Sequence, residues 1–145
     1  MKPEELWERF ALENDLKDAS YTAWAFGSAP DELAALVLSG EKTATCSALE
    51  MYELENEPLP EARSYSLVLD SKGEARCIIK TVRVRVLPFN EVGEEHAFKE
   101  GEGDKSLSFW RRVHEEVFTQ ELEEAGLSFS ETAPLVCEEF EVVYK

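Results

Sequence analysis

A lysine set three residues ahead of a threonine, in Gly40-Glu41-Lys42-Thr43-Ala44-Thr45, is the first place where this chain could do chemistry. A lysine that burial deprives of its proton can take one from a hydroxyl and make that hydroxyl a nucleophile. In a regular strand, positions three apart point to opposite faces, so Lys42 and Thr45 converge only if Lys42 sits in the turn before the strand. The segment is not a phosphate-binding loop, because the second glycine and the adjacent Lys-Ser/Thr pair are missing. On spacing alone, the plainer reading is a surface lysine beside a strand threonine.

The second candidate is the acidic stretch Glu100-Gly101-Glu102-Gly103-Asp104. Carboxylates at alternate positions can bind a hard cation, orient a catalytic amine or read an exocyclic amino group. The glycines allow backbone to approach a ligand closely. An EF-hand is excluded, since its ligand spacing and distal glutamate do not follow. A third candidate is Trp110-Arg111-Arg112 with His114; together with Arg83 and Arg85 the arginines would form a basic patch. His96 and His114 have no second metal ligand at helical spacing, which argues against zinc hydrolysis. No metal and no cofactor are expected.

These residues need elements to hold them. Leu6, Trp7, Phe10 and Ala11 recur at helical spacing with glutamates between them, and predict an opening amphipathic helix. An aromatic-rich link, Ser20 to Gly27, follows. Ser28 and Asp31 form a capping signature for the next helix, with Pro30 in its first turn, Leu33, Leu36 and Val37 as its buried stripe and Gly40 as its stop. Thr43, Thr45 and Cys46 favour an extended segment. Glu53 to Glu61, with Pro58 and Pro60, reads as a loop, and Tyr65 to Leu69 as a strand ending in the turn Asp70-Ser71-Lys72-Gly73. Arg76 to Leu87 is the longest strand signal: Val82, Val84 and Val86 alternate with Arg83 and Arg85, giving an apolar face and a basic one. Lys80 shares parity with the valines, so either a bulge precedes Val82 or Lys80 points to a site. Asn90 is the expected N-cap of a short helix through His96 to Lys99 that ends at Gly101. A long helix presents Leu107, Trp110, His114, Val117 and Leu122 near one face and stops at Gly126. Leu135 to Tyr144 reads as a final strand. The strands do not alternate regularly with helices, so the order fits an α+β fold, a mostly antiparallel sheet or small barrel flanked by helices.

Composition bounds the function. With 145 residues, a single domain spanning 1–145 is the expectation. Fifteen basic against thirty-one acidic residues give a formal net charge of −16. That balance weighs against general adhesion to nucleic acid or anionic membrane. The first residues, Met1-Lys2-Pro3-Glu4-Glu5, do not read as a signal peptide, and no stretch approaches the roughly 18 apolar residues of a membrane span. Cys46, Cys77 and Cys137 form no Cys-x-x-Cys pair and read as buried thiols in a reducing, cytoplasmic setting.

Several segments together resemble the bacterial stand-alone proteins of the ASCH domain family: Trp24-Ala25-Phe26-Gly27, Gly40-x-Lys42-x-x-Thr45, Cys77-Ile78-Ile79, Val86-Leu87-Pro88-Phe89, Glu100-Gly101-Glu102-Gly103-Asp104, Trp110-Arg111 and Cys137-Glu138-Glu139-Phe140. The resemblance covers nearly the whole chain. It implies a PUA-like fold, a mostly antiparallel pseudo-barrel with helices packed on it and a cleft beside it. It also implies recognition of RNA or of modified nucleosides. One small bacterial relative hydrolyses the amide of N4-acetylcytidine with a lysine, a threonine and a glutamate; by motif these match Lys42, Thr45 and Glu100. On this reading Lys42 is the general base, Thr45 the nucleophile, and Glu100 orients the lysine or protonates the leaving amine. Trp24, Phe26, Gly40, Ser47, Glu102, Asp104, Trp110 and Arg111 would be the ligand-binding residues. Two other readings follow from the same family. One is a non-catalytic module for single-stranded RNA, with Trp24 or Trp110 stacking on bases. The other is a divalent-metal ribonuclease using Glu100, Glu102 and Asp104. Many family members carry a basic residue where this chain has Ser47, which weakens a phosphate contact and favours a free nucleoside over RNA.

Overall fold

The computed structural model describes residues 1–27 and 29–145. Its elements in chain order are α1 (Pro3–Glu13), β1 (Tyr21–Ala25), α2 (Pro30–Ser39), β2 (Ala44–Ala48), α3 (Leu49–Glu55), β3 (Tyr65–Leu69), β4 (Ala75–Pro88), a 3-10 turn (Phe89–Glu91), α4 (Glu94–Glu100), α5 (Leu107–Glu124) and β5 (Pro134–Tyr144). The five strands form one sheet in the order β1-β3-β4-β5-β2. Only β1 and β3 run parallel; the remaining pairs are antiparallel. The sheet curls into a half-barrel flanked by helices, the α+β architecture expected.

Two register shifts bend β4 against β5, between Ile78 and Ile79 and between Thr81 and Arg83. The second leaves Val82 as the extra residue of a bulge. β4 therefore changes environment midway. Its first half, Ala75 to Lys80, pairs with β3, and β5 joins on the other edge from Ile78 onward. Past Thr81 β3 has ended, and Val82 and Val86 stand exposed rather than forming the buried apolar face that alternation predicts.

The sheet alternates its side chains between two packed sides. On one, Leu135 and Cys137 of β5 and Ala48 of β2 pack against Ala97 of α4 and Trp110, Phe118 and Leu122 of α5. On the other, Phe140, Ile79, Cys77 and Val68 pack against Ala34 and Val37 of α2 and against Phe26. Helix α1 closes a third cluster, laying Leu6, Trp7 and Phe10 on Leu67 and Ile78. Each of these large side chains stabilises the fold by roughly 1.5–3 kcal/mol on burial.

Several expectations need correction. The aromatic link after α1 contains β1, a strand that the parallel partner β3 recruits. The Ser28 half of the expected capping pair lies outside the described residues. Ala29 is the N-cap of α2, and Asp31 instead accepts from the backbone N–H and hydroxyl of Ser71, tying α2 to the turn after β3. Helix α3 reaches Glu55, so the loop begins later than Glu53; it buries no residue and leaves no apolar stripe to read. Gly93, not Asn90, caps α4, because Asn90 lies within the 3-10 turn. On α5, Phe118 takes the buried place expected of Val117, which is exposed.

Candidate active site

Lys42 sits where the sequence requires it, in the turn between α2 and β2. Gly40 ends α2 in the left-handed conformation, and the N–H groups of Glu41 and Lys42 both donate to Leu36 O. Thr43 N–H then donates to Lys99 O at 2.7 Å, and Phe140 N–H donates to Thr43 O. These bonds pin the turn between α4 and the edge of the sheet. Gly101 makes the approach of α4 possible. It ends α4 with a positive φ, and a Cβ there would lie 2.1 Å from the Glu41 carbonyl oxygen. A side chain at Gly101 would push the α4 terminus away from Lys42.

The Lys42 side chain is buried, with 2% of the residue exposed. Its Nζ donates to Ala44 O at 2.9 Å and to Glu102 Oε2 at 2.9 Å, and it lies 3.4 Å from both the backbone O and Oε1 of Glu100. Three N–H groups thus meet acceptors on three residues, the arrangement of an ammonium. The Phe26 ring lies 5.3 Å from Nζ.

Glu100 is the centre of a buried network. Its Oε2 accepts from Trp110 Nε1 at 2.7 Å and bonds His96 Nε2 at 2.7 Å. Its Oε1 faces Lys42 Nζ at 3.4 Å and His114 Nε2 at 3.5 Å. Burial pushes the carboxyl up, but bonds from His114 and His96 and the charge of Lys42 outweigh it and hold Glu100 well below the usual carboxylate range. His114 stacks on Trp110 and bonds the Trp110 carbonyl through Nδ1. A carbonyl only accepts, so Nδ1 carries a proton, while Nε2 faces a carboxylate. Burial pushes His114 down, yet the bond and charge of Glu100 bring it above its ordinary value. Cys46 lies beside this group; burial, then the charge of Glu100, push its thiol well up.

The other side of β2 is different. Thr45 and Ser47 alternate with Ala44 and Cys46 and so face away from Glu100. Thr45 lies opposite Glu138 of β5 in the register. Glu138 is buried and accepts one bond, from Thr81 Oγ1 at 3.4 Å. Burial raises its carboxyl above the ordinary value, only partly offset by Thr81. Among the described residues, Glu138 has no ion pair and Thr45 Oγ1 makes no hydrogen bond. Ser47 Oγ accepts from Tyr52 of α3.

The structure therefore brings Lys42, Glu100 and Glu102 together and sets Thr45 on the strand that leaves Lys42. It does not do so for every expected ligand residue. Trp110 is 2% exposed and spends its N–H on Glu100, so it cannot stack on a base. Trp24 is half-buried, edge-on to Phe26. Gly40 serves as the helix stop. Asp104 accepts from Ser106 N–H at the start of α5 instead of joining Glu100 and Glu102. Arg111 reaches Asn90 O, and Arg83 is held by Glu139, so the expected basic patch is divided. Among the described residues, the group with potential metal-ligand atoms close together is Cys46, Glu100 and His114, within 4.8 Å, not the acidic loop. Its carboxylate is already engaged by four donors. Two open surface depressions lie along α5, and neither is lined by Lys42 or Glu100.

Sequence reasoning assigned no part in the site to His96 or Glu138, and it singled out His114 only with Trp110-Arg111-Arg112, not as a partner of Glu100. Two signals were available: His96 with Glu100, against the expectation that neither histidine has a ligand partner at helical spacing, and Trp110 with His114, each stand four apart on a helix.

The comparisons agree with this architecture. The model of the ASCH domain matches residues 22–144. The chain is similar to the crystal structure of an ASCH domain from Lactobacillus crispatus JV V101, at 34% identity over 98% of this chain and 94% of that one, with a TM-score of 0.92. It is also similar to a protein from Enterococcus faecalis V583, at 37% identity over 97% of this chain and 87% of the other, with a TM-score of 0.89. A hypothetical protein 17% identical to it, with a TM-score of 0.59, shares the fold alone. No curated protein matches the chain.

Proposed function

The chain belongs to the ASCH domain family, and from that premise we propose that it is an amidohydrolase of N4-acylated cytidine-type nucleosides, working at Lys42 and Thr45. The observation that carries this reading is the burial of the Lys42 ammonium between two carboxylates at the root of the strand bearing Thr45, whose hydroxyl makes no hydrogen bond among the described residues. Glu100 is saturated by donors, which suits it to orient Lys42 and not to give up a proton. Glu102 is the partner of Lys42 that touches solvent, with 24% of its side chain exposed, and it rides on a loop. To act as a base, Lys42 hands one proton to Glu102, 2.9 Å away, and takes the proton of Thr45.

An uncharged ligand suits this site better than a phosphate. The charge of Lys42 is already opposed by two carboxylates, and the chain as a whole carries −16. Purified protein should convert N4-acetylcytidine to cytidine in an absorbance assay, unaffected by chelator. Lys42→Ala and Thr45→Ala should each lose at least about 100-fold of that rate, the usual contribution of a positioned base or nucleophile. Full activity in Lys42→Ala would overturn the mechanism. Absence of turnover in the wild type, with RNA binding that weakens as salt rises, would replace it with a binding module.

A further inference from the structure

Amide hydrolysis needs a proton at the departing nitrogen, and Glu100, bonded by His96, Trp110, Lys42 and His114, is not placed to supply one. We propose that Glu138 is the proton donor beside Thr45, a catalytic residue for the reaction proposed above and resting on that reading.

Four observations converge on it. Glu138 lies directly opposite Thr45 in the β2–β5 register, on the same side of the sheet. Side chains so paired have Cβ atoms roughly 4.5–5.5 Å apart, within reach of one substrate group between them. Phe140, two residues further along β5 and on that side, packs in one cluster with Phe26, whose ring faces Lys42 Nζ. Glu138 keeps 9% of its surface exposed, so the buried carboxyl is not sealed off. Among the described residues, its one hydrogen bond comes from Thr81, at 3.4 Å, and no cation pairs with it. A buried carboxylate left that way is costly, whereas the neutral acid is not and can donate.

The step balances. Lys42 passes a proton to Glu102 and accepts the proton of Thr45; Thr45 Oγ1 bonds to the acyl carbon, the C–N bond breaks, and the nitrogen takes the proton of Glu138. Cytidine leaves with its amine neutral, and the acyl group is an ester on Thr45. Water then attacks that ester, giving its proton to Glu138, while Thr45 recovers a proton from Lys42, which is resupplied by Glu102. The carboxylic acid departs and each residue regains its starting state.

The test compares two substrates on the wild type and on Glu138→Gln, which keeps the side chain's size. N4-acetylcytidine needs its nitrogen protonated; 4-nitrophenyl acetate releases a phenolate that does not. The expected result is a loss of at least about 100-fold on the amide, with the first-turnover release of 4-nitrophenolate, which precedes the deacylation that also uses Glu138, within about twofold of the wild type. Equal losses in amide turnover and in first-turnover 4-nitrophenolate release would make Glu138 merely structural, and no loss in either would remove it from the mechanism; both outcomes overturn the assignment. A wild type that hydrolyses neither substrate rejects the amidohydrolase reading itself. An infrared difference spectrum at neutral pH reads the same residue without turnover: a protonated-carboxyl band should vanish in Glu138→Gln, and its absence from the wild type would overturn the proposal.

Discussion

Glu100 and Glu138 are both buried glutamates, set against opposite sides of one sheet, and their surroundings drive them in opposite directions. Around Glu100, two histidines, a tryptophan N–H and a lysine converge, so the anion is the comfortable state. Around Glu138, one threonine hydroxyl donates among the described residues, so burial is left nearly unopposed. The residue type is the same; the donors supplied by α4 and α5 make the difference. Two carboxyl groups pushed apart in this way can hold the anionic and the acidic role of one site.

The largest test of this contrast is stability. Glu100→Gln should cost about 3–5 kcal/mol in urea unfolding, because Lys42 and His114 are left facing an amide in a buried site. Glu138→Gln should change stability by less than about 1 kcal/mol at neutral pH, since no charged partner is lost. Equal losses at the two positions would break the comparison.

A pH series sharpens it with a smaller effect. Glu100 is depressed in the folded state, so its contribution is present above the ordinary carboxylate value of 4.5 and is lost as pH falls from there toward the folded value. Glu138 is raised, so it favours the fold below 4.5 and that contribution is lost as pH climbs through the folded value. His114 is raised as well, and its contribution fades as pH climbs above 6.5. Urea midpoints should therefore fall as pH drops below 4.5 and fall again as it climbs above 4.5. Glu138→Gln should remove part of the fall above 4.5 and leave the fall below it unchanged; an altered fall below 4.5 would mean that the two carboxyls titrate together.

The smallest effect belongs to a residue outside both clusters. Arg111→Ala should change stability by no more than about 0.5 kcal/mol and leave amide turnover as it was. Lost turnover would extend the site to the start of α5.

The elements that carry the site were largely legible. Gly40 and Gly101 as helix stops, Lys42 in a turn, Thr45 on a strand and a bulge in the long strand all follow from local rules: backbone freedom at glycine, side-chain parity in a strand, periodicity in a helix. β1 was not legible, because it is a half-exposed edge strand whose identity depends on its parallel partner 44 residues away. Nor was α3, which buries nothing, or the exposure of Val82 and Val86, which follows from where β3 stops.

The amino-acid order by itself determined which groups are available, a lysine, a threonine and many carboxylates, and the local geometry that presents them. Only the tertiary structure decided which carboxylate is held charged. That choice depends on donors from α4, α5 and the α2–β2 turn meeting around Glu100, and on the absence of such donors opposite Thr45. Solvation and pairing act through space, over a few ångströms, between residues as far apart as Lys42 and Glu100, so no window of sequence contains them.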